Sequence, residues 1–170
     1  MKVSKLVFSL TILVTCRFSS YSQMAIVQRT DLALGNDRKS YSEWLVKQGF
    51  NFDTDGQEQS RQMAFGIAQV MGTKLYGETY LNTAGNIRIR LFTDTLFSIR
   101  QVQITLAKPL PGEGEKFIAS LKTIGYATES NYRNTSDGTH NCLLSKNEKR
   151  FTIVDSKEKG YLLVKAVINR

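Results

Sequence analysis

The single histidine, His140, and a cysteine, Cys142, stand two residues apart. In a strand, side chains at i and i+2 share a face. A thiol and an imidazole are the parts of a nucleophile and its base. Neighbours on one strand do not turn those groups toward each other, and no third group nearby in sequence orients the ring. Two ligands also fall short of the zinc requirement of four, or three plus water. The pair reads as a small buried hydrophobe beside a polar strand-end residue.

Asn51-Phe52-Asp53-Thr54-Asp55-Gly56 matches the opening of a calcium loop, with oxygens at alternate positions and glycine at the sharp turn. Position one is Asn51, however, and position twelve falls on Gln62, whose amide cannot chelate as a bidentate carboxylate. A polar turn at Asp55-Gly56 is expected instead. The acid pairs Asp53/Asp55 and Glu113/Glu115 have local roles as turn and helix start. No catalytic residue, metal ligand or cofactor is expected. A small envelope hydrolase built on His140 or the Asp53/Asp55 acids, and a calcium-stabilised module, stand as the alternatives to a binding protein.

Arg88 and Arg90 alternate with Ile87, Ile89 and Leu91, the pattern of a strand with one buried face. Arg100 joins their outward face if a β-bulge near Arg100-Gln101 shifts the phase of its strand. Tyr76 and Tyr80, one strand away, are expected to point outward too. Tyrosine and arginine give large contact area at low entropic cost, so these five residues are the expected contact site. The expected partner is a protein, a cell-envelope component or an acidic ligand.

The elements that must position these residues follow from spacing. Residues 23–36 lack clear periodicity and read as an extended or poorly ordered arm. Asp37 to Gln48 reads as a helix with a Ser40–Glu43 capping box, stopped by Gly49. Residues 57–71 fit both helix and strand periods, and the Gln/Glu/Arg-rich lead-in tips them to helix. Strands are expected over 73–81, 86–93 and 97–106. Glu113 to Ile124 is a helix with Phe117, Ile118, Leu121 and Ile124 on one face, stopped by Gly125. Four strands complete the chain, over 126–133, 139–146, 149–154 and 161–168.

The chain has 170 residues, with 23 Lys+Arg against 15 Asp+Glu, a formal charge of +8. Lys2 and Lys5 precede an uncharged run of 11 residues, Leu6 to Cys16. That is too short to span a bilayer, which takes about 20 apolar residues. It suits a secretory signal cut after Ser22, and it resembles export signals of Bacteroidota, where glutamine often follows the cut. A competing reading is a lipoprotein anchored through Cys16, against which Thr15 stands where such signals have Gly, Ala or Ser. Cleavage removes three cations and no acid, so 148 residues at +5 remain. Nucleic acid is then not an expected partner, and no membrane span is expected after cleavage. The expected destination is secreted or periplasmic.

The remaining chain divides into a first α+β half, 37–108, and a second, 109–170, with one compact domain as the alternative. Leu45-x-x-x-Gly49-Phe50 recurs as Leu121-x-x-x-Gly125-Tyr126, 76 residues later. The expected fold is α+β, an antiparallel sheet with two or three helices packed on one face. It is read as a candidate tandem repeat of helix-then-strands modules. This element order resembles the secreted tandem modules of the beta-lactamase inhibitor protein family. The resemblance implies a binding role through an open sheet face and carries over no functional residue.

Overall fold

The computed structural model describes residues 24–82, 84 and 86–168. The expected export segment 1–22, with Cys16, lies outside them. The elements run α1 (24–33), α2 (Arg38–Lys47), β1 (Asn51–Phe52), α3 (Gln57–Met71), β2 (Tyr76–Asn82), β3 (Ile87–Thr93) and β4 (Ile99–Ala107). Then follow α4 (Glu113–Thr123), β5 (Ala127–Arg133), β6 (Thr139–Lys146), β7 (Lys149–Ser156) and β8 (Tyr161–Ile168). The fold is α+β. All eight strands form one antiparallel sheet in the order β1-β2-β3-β4-β8-β7-β6-β5.

That order is a statement about symmetry. Each half is a helix followed by a four-stranded meander, and the halves meet where β4 pairs with β8. The repeated Leu…Gly-aromatic motif is the same structural device twice. Gly49 (φ 80°) and Gly125 (φ 92°) take the left-handed conformation that a Cβ disfavours. The amides of Phe50 and Tyr126 then reach back to the carbonyls of Leu45 and Leu121, each at 3.0 Å. Both leucines and both aromatics enter the core. The halves differ by one insertion: α3 sits between β1 and β2, whereas β5 and β6 are joined by a short turn.

The two sheet faces divide by residue parity. Ile89, Leu91, Val102, Ile104, Leu144, Phe151, Ile153, Val164 and Ala166 face one side. There they form a continuous core with residues of α1, α2 and α4. α3 lies on the opposite face. Its Ala64, Met63, Ile67 and Met71 pack with Leu75 and Phe92 in a separate cluster. Contact with β2 is so close there that a Cβ on Gly77 would collide with the Ser60 backbone. Among the described residues, no helix lies over the remainder of that face, on β8, β7, β6 and β5.

Four local expectations are corrected. Residues 24–33 are a helix, with Ile26, Val27 and Ala33 buried in the core, rather than an extended arm. α2 is capped by Asp37, whose carboxylate accepts from the Lys39 amide at 2.7 Å, not by a Ser40–Glu43 box. β2 starts only at Tyr76, after Gly72 ends α3 and the chain turns back. Phe97 lies in the β3–β4 turn, ahead of β4. The bulge stands: β3 residues Phe92 and Thr93 pair with Gln101 and Ile99, leaving Arg100 as the extra residue. The helix over 57–71 also stands.

Candidate functional site

The five expected contact residues do not share a face. Tyr80 pairs with Ile89 across the β2–β3 ladder and is buried in the core. Tyr76 and Glu78 follow its parity. Arg88 and Arg90 point to the opposite face, beside α3. Arg90 is buried and donates to Gln59 Oε1 at 2.6 Å. Burial, and then the neighbouring Arg88, lower its pKa, and Asp53 opposes them. Arg88 Nε lies 3.4 Å from Asp53 Oδ2. Arg100 is the unpaired residue of the bulge. The expectation of one outward Tyr/Arg face fails because the β2 tyrosines and the β3 arginines lie on opposite sides of the pleat.

Several residues weighed for chemistry have structural contacts. Asp53 accepts from the Gly56 amide at 3.1 Å and pairs with Arg88, which gives its carboxylate a turn-and-anchor role. Among the described residues, no three His, Cys, Asp or Glu side chains gather as a metal site. Cys142 is buried against the core and burial raises its pKa, which favours the inert thiol. His140 shares its face, as expected. The ring's Nε2 lies 2.5 Å from Asn131 Oδ1, an amide oxygen.

Tyr76 leads to a different cluster. Its ring stacks on Phe97 (centroids 6.4 Å apart), Lys74 lies over Tyr76 at 5.4 Å, and Arg38 lies over Phe97 at 5.0 Å. Arg38 also pairs with Glu78, which accepts a 3.2 Å hydrogen bond from the Tyr80 hydroxyl. Phe52 meets Tyr80 edge-on. The result is a column of two aromatic rings between two cations, at the β3–β4 turn end of the sheet beside the start of α2. A cleft of about 430 Å³ beside it is lined by Asp37, Arg38, Ser42, Glu78, Tyr80 and Phe97.

The turn that presents Phe97 is held on several sides. Asp94 Oδ1 accepts from the amides of Leu96 (2.9 Å) and Ser98 (3.0 Å), and the Phe97 amide donates to Asp94 O. The Arg38 amide donates to the Phe97 carbonyl at 3.1 Å, tying the turn to the start of α2. Within it Phe97 has φ 59°, a conformation that costs a bulky L-residue roughly 1–2 kcal/mol. The surroundings offset that strain, yet the ring stays 48% exposed and neighbouring Leu96 82% exposed. Leu96-Phe97 in a turn was the available sequence signal, since apolar pairs are unusual at such tips.

Among the described residues, no helix is long and apolar enough to cross a membrane. Compared with protein-family models, curated proteins and solved structures, the chain matches none.

Proposed function

We propose that this chain is a secreted or periplasmic, non-enzymatic binding module. Its contact site is the Leu96–Phe97 tip with Tyr76, flanked by Arg38 and Lys74, and its partner is a protein or cell-envelope component. The observation that carries this reading is Phe97, held half-exposed in a strained backbone conformation by a hydrogen-bonded turn. Strain kept at an exposed aromatic points to use of that residue rather than to packing. Aromatic anchors with arginine beside them are the composition of interface centres, and the cations favour an acidic rim on the partner. The export reading of residues 1–22 supplies the compartment. The likeness of the element order to the beta-lactamase inhibitor protein family points toward binding as well.

The test is capture of envelope components by the immobilised protein, compared with a Leu96→Ser/Phe97→Ser variant. The variant is expected to keep the wild-type circular dichroism spectrum and to lose the captured species by at least about tenfold. Equal capture by a folded variant removes the site.

A further inference from the structure

Among the described residues, the face that carries α3 has a ridge on one half and bare sheet on the other. The internal symmetry makes these two regions equivalents. Aligning the halves on their core positions sets Tyr80 against Leu144, Leu91 against Ile153 and Ile104 against Ala166, all buried. On the opposite face the same alignment sets Thr79 against Leu143, Phe92 against Val154 and Gln101 against Leu163. α3 covers the first of these seats, with Phe92 fully buried beneath it. In the second seat Leu143, Val154 and Leu163 are only partly buried. Tyr132, at 62% exposure, extends the patch along its row through the β5–β6 pairing Tyr132↔Asn141.

The ridge has exposed apolar residues of its own. Phe65 is 67% exposed and Val70 88% exposed on α3, where the charges are Glu58 and Arg61, themselves paired at 3.6 Å. The ridge thus carries no net charge, and in the recess Arg150 is paired with Glu129 at 3.8 Å, leaving Lys165 at its side. We infer that the recess receives α3 of a second copy, forming a two-fold dimer. Rotation by a half-turn about an axis along the β4–β8 boundary places each ridge over the other copy's recess. Both contacts are then satisfied at once, as a closed isologous pair requires.

The dimensions agree. A helix of 15 residues is about 22 Å long and about 10 Å across. The recess, four strands spaced about 4.8 Å apart, is wide enough to take it. Seating half the helix circumference hides on the order of 400 Å² of helix and a similar area of sheet. The two-fold repeats this, for a total on the order of 1,600 Å², the size of a standard stable interface. The surface lies across the sheet from the Phe97 tip, so dimerisation leaves that tip accessible.

Sedimentation velocity of the purified protein over a micromolar dilution series tests the inference. The wild type is expected to sediment as a dimer. Val70→Glu, on the ridge, and Leu163→Lys, in the recess, are each expected to raise the dissociation constant at least about tenfold. Val70 is too exposed for its substitution to unfold the chain. If Leu163→Lys fails to fold, Thr152→Lys on the same face replaces it. The decisive measurement mixes the two variants. One pairing in the mixed dimer is wild type on both sides and the other sets Glu against Lys, so dimers are expected to return. A wild type that stays monomeric throughout, single variants that remain fully dimeric, or a mixture that stays monomeric would each overturn the proposal.

Discussion

Tyr41 is fully enclosed, and its hydroxyl shares a 2.6 Å hydrogen bond with Thr30 on α1. Tyr126 donates to Asp31 Oδ1 at 2.7 Å, and Lys149 reaches the same oxygen at 3.2 Å. These bonds fasten α1 to both halves. Burial pushes both phenols well above the ordinary tyrosine value of 10.0; the Thr30 bond opposes this at Tyr41, and the Asp31 carboxylate adds to it at Tyr126. The folded chain therefore keeps protons that the unfolded chain releases above pH ~10. Their contribution is fully present below that pH and is lost as pH rises beyond it, by up to about 1.4 kcal/mol per pH unit for each tyrosine. Urea midpoints are expected to hold steady to about pH 9 and to fall above about pH 10. Tyr41→Phe is expected to flatten that fall; identical slopes for the variant and wild type would refute the assignment.

At the scale of elements, α3 depends on a place where the sheet has no side chain. The Ser60 hydroxyl bonds to Thr79, and Gly77 leaves room for the Ser60 backbone. With its amide oriented to satisfy both neighbours, Gln57 accepts from the Thr79 amide at 2.9 Å and donates to the Gly77 carbonyl at 3.3 Å. The side chain thereby closes the part of the β2 edge that two-residue β1 leaves open, blunting a template for strand addition. Gly77→Ala is expected to lift α3 and cost about 2–3 kcal/mol. Amide exchange is expected to accelerate over 57–71 more than in β6–β8, whereas a uniform change would refute the local account. The same contacts explain what the sequence left hidden. Tyr76-Gly77-Glu78-Thr79-Tyr80 mixes polar and apolar residues on both phases, so alternation alone does not say which side meets the core. α1 escaped because Thr30 stands inside the Ile26, Val27, Ala33 stripe, and its burial makes sense only beside Tyr41. Phe97 looked like a strand start because aromatics favour strands, until Asp94 is seen to draw the following amides into a turn. By contrast, the glycine stops, the helix over 57–71 and the Arg100 bulge were legible, because each leaves a mark in the local sequence: a glycine, a polar helix-favouring lead-in, and a shift of apolar phase.

One main core runs across the two similar halves, joined through the β4–β8 pairing, with a smaller cluster under α3. Such a core predicts one cooperative transition. Trp44 on α2 reports the first half by fluorescence, and Leu144→Ala removes buried volume from the second. The variant is expected to lose about 2–5 kcal/mol. Its fluorescence and far-ultraviolet midpoints are expected to shift together, and separate midpoints would mean that the halves unfold independently. The order of strands has a further meaning in time. β8 follows every other strand in sequence yet lies between β4 and β7, in the middle of the sheet. A chain emerging from its amino end can complete the first meander, β1 to β4, but neither the second meander nor the joint between the halves until β8 arrives. Until those residues arrive, β4 and β7 are open edges and the core has no centre. The topology thus makes closure of the sheet wait on β8, the strand that both flanking edges need as a partner.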